Sequence, residues 1–141
     1  MSCSFQPKTQ YLLAGQTELP VNWLRDLARS NSPEVRARIA ENESTPLAIL
    51  FELLLDTHND VRISLSQNPA LPMIFLSQLA RDEDPDVRYG MAENPNLPIN
   101  ILEILVNDEN PYVASRALKS LSQANSQSAI VRKERDLRIA A

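Results

Sequence analysis

Glycine, cysteine and histidine are scarce: the 141 residues hold two glycines, one cysteine and one histidine, with one tryptophan and 5% aromatic residues overall. Two glycines leave no material for a glycine-rich phosphate loop. Together with ten prolines they point to a helical array punctuated by proline rather than to a sheet protein. Cys3, the single cysteine, excludes an internal disulfide and any CxxC metal or redox pair, and this fits a reducing compartment. The start, MSCSFQPKTQ, has neither the basic lead nor the apolar run of a signal peptide. No apolar run reaches membrane-spanning length; ILFELLL, from Ile49 to Leu55, is short and broken by Glu52. A soluble cytoplasmic protein with no membrane partner is expected. Cationic excess is missing too. The net charge of −4 disfavours a nucleic-acid binder, which needs a basic face. The charge is uneven: residues 1–118 hold 9 Lys+Arg against 16 Asp+Glu, whereas residues 119–141 hold 5 against 2.

What the chain does have is a repeat. The stretch from Pro72 to Pro98 reappears 26 residues earlier from Pro46, again from Pro20, and in large part after Pro98. Val35, Val61, Val87 and Val113 form one column; Leu24, Leu50, Leu76 and Leu102 a second; Leu27, Leu53, Leu79 and Leu105 a third. Arg36, Arg62 and Arg88 follow the valines, and Asn42, Asn68 and Asn94 close the units. Eight prolines, from Pro7 to Pro111, fall on a 13-residue grid whose one vacancy is Asn59. Repetition on this scale marks a solenoid. The expected fold is an all-α solenoid of two-helix units. It comprises a half-unit at 7–19, units at 20–45, 46–71, 72–97 and 98–121, and a polar, basic segment at 122–141 that is either weakly helical or disordered.

Each unit reads as two helices. The first starts at the proline, in the N1 position where its missing N–H costs nothing, and buries pairs such as Ile49 and Leu50 with Leu53 and Leu54. The second is shorter and buries a narrow face through i, i+4 pairs such as Val35 and Ile39. Ser32, Asp84 and Asn110 serve as its N-caps, each followed by proline.

The string N-P-x-x-P-x-x-x-L-x-x-L-A-x-D-x-x-P-x-V-R-x-x-x-A-x-N-P, carried by Asn68, Pro69, Pro72, Leu76, Leu79, Ala80, Asp82, Pro85, Val87, Arg88, Ala92, Asn94 and Pro95, resembles the leucine-rich repeat variant family. The likeness spans about Pro7 to Leu118. It implies two parallel layers of helices wound into a right-handed superhelix, one layer α and the other short and often 3₁₀. It also implies an interaction scaffold without enzymatic activity. One member holds an iron–sulfur centre through an N-terminal cysteine cluster. Cys3 alone does not supply such a cluster, so no cofactor is expected, and an accessory or redox-associated role stands as the disfavoured alternative.

The individual candidates for chemistry are weak. His58 occupies the inter-helix position of Ser32, Asp84 and Asn110 and lacks a placed partner for acid–base work. Asp82, Glu83, Asp84 and Asp86 lack the glycine and glutamate of a calcium loop. The arginine column runs beside a recurring acid, Asp56, Asp82 and Asp108, which reads as structural ion pairs. The asparagines suit turns. Removing these repeat positions leaves the outward side of the second helices, where Ile63, Tyr89 and Tyr112 are larger and less polar than the architecture requires, with Arg38 and Arg116 at the margins. Tyrosine and arginine favour interfaces. The expectation is a monomeric, non-catalytic scaffold that docks an unidentified protein partner on these five residues, with no metal and no cofactor.

Overall fold

The computed structural model describes residues 6–140; Cys3 and the polar lead lie outside the described residues. All described secondary structure is α-helical. The order is α1 (Pro7–Ala14), α2 (Val21–Ala28), α3 (Pro33–Glu41), α4 (Leu47–Leu53), α5 (Asn59–Ser66), α6 (Met73–Leu79), α7 (Pro85–Ala92), α8 (Ile99–Val106) and α9 (Pro111–Ala140). None of the described residues adopts a positive φ, which is why the turns need no glycine.

The odd-numbered helices pack in sequence, α1 on α3, α3 on α5, α5 on α7 and α7 on α9, and the even-numbered helices lean on that row, α2 on α3, α4 and α6 on α5, and α8 on α9. A single core runs between the two rows. Leu24, Leu27, Ile49, Leu50, Leu79, Leu102 and Leu105 enter it from the even row, and Val35, Ile39, Val61, Leu65, Val87 and Met91 from the odd row. These are the columns that the 26-residue period marks.

Three details differ from the sequence expectation. Prolines 20, 46, 72 and 98 sit at the N-cap, not at N1; Pro20 has φ −57° and ψ 142°. Their ring fixes φ at a value that both positions tolerate, while the extended ψ turns the carbonyl to accept from Trp23 and Leu24 N–H at 2.9 and 3.1 Å. In the odd row Pro33, Pro85 and Pro111 do open their helices, with the Asp84 carboxylate accepting from Asp86 N–H at 2.9 Å and the Asn110 side chain from Tyr112 N–H at 3.0 Å. Second, the odd-row helices are neither shorter than the even-row ones nor 3₁₀: α3 has 9 residues and α5 and α7 have 8, against 8, 7, 7 and 8 for α2, α4, α6 and α8. Tight i→i+3 bonds close the C-terminal ends of both rows, as in Ser30 N–H to Leu27 O and Asn68 N–H to Leu65 O. There the chain must reverse within a few residues. Third, no break occurs at residue 122. The helix α9 runs for 30 residues, about 45 Å at 1.5 Å per residue. Its first part packs on α7 and α8, Leu121 and Ala124 still touch the core, and every residue from 125 to 140 is exposed.

Candidate functional site

The two polar columns are consumed by the architecture. Arg36 grips Asp56 through two parallel bonds of 2.7 and 2.9 Å, and its third nitrogen donates to the Ser30 carbonyl at 2.8 Å. Arg62 repeats this on Asp82 and the Asp56 carbonyl, and Arg88 on Asp108 and the Asp82 carbonyl. Each aspartate thus accepts from one unit's arginine with its side chain and, at Asp56 and Asp82, from the next with its backbone. At the N-terminal end the column continues in neutral form, Gln10 standing at the arginine position and Ser30 at the aspartate position, with the Ser30 hydroxyl donating to Gln10 Oε1 at 2.8 Å. The asparagine column clips neighbouring units: Asn42 Nδ2 donates to the carbonyls of Ala14 and Gln16, and Asn68 Nδ2 to those of Ala40 and Asn42. Ser120, which stands where asparagine is expected, donates to Ala92 O at 2.6 Å.

Paired carboxylates bias their own titration. Burial by itself would raise the Asp56 carboxyl, but the Arg36 guanidinium and the His58 N–H hold it below the ordinary carboxylate value. Asp108 is held low in the same way by Arg88 and the Asn110 N–H. The arginines are raised in turn by their aspartates. A carboxyl with a depressed folded pKa contributes its full stability above the unfolded value of about 3.9 and loses it as pH falls through the lower folded value. The melting temperature is therefore expected to fall on acidification below about pH 4. In scanning calorimetry, the Asp56→Asn, Asp108→Asn double variant should melt lower at neutral pH and fall less steeply in acid. An acid limb identical to the parent's would remove these pairs as its cause.

His58 is exposed and caps α5, its backbone N–H donating to Asp56 Oδ1 at 2.9 Å. Among the described residues no group of three His, Cys, Asp or Glu side chains is placed to hold a metal, and no helix is long and apolar enough to cross a membrane.

The five expected docking residues separate on inspection. Tyr112 is 77% exposed and Tyr89 is 39% exposed, on adjacent helices of the odd row. Arg116 is near Glu93, with its Nε 3.8 Å from the carboxylate. Arg38 is engaged internally: it forms an ion pair with Glu41 at 3.3 Å and lies over the Tyr11 ring at 5.7 Å. Ile63 is half-buried against the core and fills the space over Gly90, where an added Cβ would come within 2.9 Å of it. Its bulk thus has an architectural use, complementing the missing side chain on α7.

Two features escaped the sequence reading. Tyr11 and Leu12, both exposed, stand 26 residues before Ala37 and Arg38 and so extend the outer face of the odd row into the half-unit. With Glu34, Glu41, His58 and Asp60, Tyr11 lines a hollow of about 240 Å³ on that face. The even row carries a second apolar column, Val21, Leu47, Met73 and Ile99, each between 44% and 50% exposed. Phe51 and Phe75 lie beside it with ring centroids 5.8 Å apart.

Searches of protein-family models, curated proteins and solved structures for a counterpart to this chain find no match.

Proposed function

We propose that the chain is a non-catalytic protein–protein interaction scaffold, a short right-handed α-solenoid of the kind its resemblance to the leucine-rich repeat variant family implies, working in the cytoplasm. The observation that carries this reading is the pair of exposed tyrosines, Tyr89 and Tyr112, on the outer side of the odd-numbered helices, to which Tyr11, lying under Arg38, adds a third. Tyrosine offers a large amphipathic surface at low entropic cost and is enriched among the residues that dominate interface energies. The arginine and asparagine columns are spent on holding the array, which makes a stiff platform for such anchors. Glu34, Asp60 and Asp86 are exposed on the same face, which suits a protein partner and not a nucleic acid.

The test is capture of partners from the native source with the parent and with Tyr89→Ala. An anchoring tyrosine should cost about 2 kcal/mol or more of binding on truncation, roughly a thirtyfold loss, while melting changes little. A partner retained equally by both proteins would rule out Tyr89 as an anchor, and stoichiometric iron in the purified protein would overturn the scaffold reading in favour of a redox role.

A further inference from the structure

The distal part of α9 and the outer face of the odd row have opposite charge and no neighbour in the same chain. From residue 125 onward α9 is exposed along its whole circumference; a helix of this length without packing is marginal in water, which calls for a surface to support it. Its side chains are sorted around the axis. Val131, Arg132, Arg135, Arg138 and Ile139 follow i, i+3, i+4 and i+7 spacing and share one face. The three arginines form no ion pair among the described residues. Residues 122–141 carry Arg132, Lys133, Arg135 and Arg138 against Glu134 and Asp136, a net +2; with the total at −4, residues 1–121 carry −6.

The complement lies on the odd row, where Glu34, Asp60 and Asp86 recur once per unit at the exposed first turns of α3, α5 and α7. Packed helices lie about 8–10 Å apart. Along α9 the six-residue step from Arg132 to Arg138 rises about 9 Å, so a helix laid across the row sets Arg132 and Arg138 against the acids of two neighbouring units, with Arg135 between them. Being one continuous helix that leads away from the core, α9 does not fold back onto its own face.

We propose that the basic stripe of α9 from one molecule docks on the acidic, tyrosine-bearing face of a second copy. This rests on the same surface as the scaffold reading and names an occupant for it, in place of the monomer expected from the sequence.

Sedimentation of the full chain decides it, run at about 0.05 M and about 0.5 M salt, since exposed charge pairs are screened at the higher value. Mass should exceed the 15.8 kDa of one chain at low salt and return toward it at high salt. The variant R132E/R135E/R138E, altered only at exposed residues that form no ion pair among the described residues, should sediment as a monomer at both, as should D60K/D86K. Neither variant carries a matched tail and face of its own, but mixing them brings the normal tail of one to the normal face of the other, and reversed tail to reversed face, and should restore the heavier species. Circular dichroism checks that each variant is folded; if D60K/D86K is not, the tail variant alone decides. A monomeric parent at low salt, or a tail variant that still associates, overturns the proposal. The scaffold reading fails separately, through stoichiometric iron in the purified protein, whichever way the sedimentation falls.

Discussion

A fragment ending at Asn68 is expected to be largely unfolded, whereas one ending at Leu121 keeps the helical signal of the parent apart from that of the removed tail. The short fragment retains α1 to α5 but strips the cover from the side of α5 that packs on α7, and it leaves Arg62 without Asp82. Chains of this length seldom bury enough apolar surface to offset the entropy of ordering them, and helical arrays need about three units for that reason. Cutting at Leu121 costs far less, because only Ala124 beyond it touches the core. Circular dichroism and thermal melting of both fragments check this. A cooperative melt from the short fragment would mean that the first units are self-sufficient.

The second large effect is in the leucine column. Leu53 and Leu79 are 3% and 1% exposed and sit in the middle of the array, walled by both rows, so neither end can collapse into the space they vacate. Truncating either to alanine should cost roughly 2–5 kcal/mol, combining the lost transfer energy with the cavity left behind. Leu55 provides the control. It lies two residues after Leu53 in the run of three leucines but is 71% exposed, and Leu55→Ala should change stability by no more than about 0.5 kcal/mol. Urea denaturation of the three variants measures the contrast; equal midpoints would mean that the buried stripe is drawn on the wrong residues.

That contrast also shows what could be seen in advance. The period fixes which residues are equivalent, and i, i+1, i+4, i+5 spacing then selects the inward side, so Ile49, Leu50, Leu53 and Leu54 were identifiable as core and all four are buried. The Arg–Asp pairs were legible because two complementary charges recur in step. Equivalence does not say where an outward side chain ends up, however. Ile63 looked superfluous because nothing in its own helix shows that Gly90 opposite leaves a gap. Arg38 looked available because the ring it covers, Tyr11, lies in the N-terminal half-unit, outside the full repeats. The Val21, Leu47, Met73, Ile99 column was masked by the stronger apolar positions beside it. The continuity of α9 was hidden for a different reason. Ser122 to Ser128 has no apolar rhythm, and a helix without a buried face gives the pattern nothing to register.

The ties between units have a kinetic consequence. The Arg–Asp bonds join residues 20 apart in the chain, and the asparagine clips join residues 26 or 28 apart. No hydrogen bond among the described residues spans more than 28. The entropy of closing a loop depends on its length, so every closure in this fold is a short one of nearly constant cost. Ties of 20 to 28 residues are local in a 141-residue chain, and local contacts are what make helical proteins fold fast. Any unit whose partner has formed can dock without waiting for a distant end, and growth of the array by another 26 residues would add steps of the same kind without lengthening any of them.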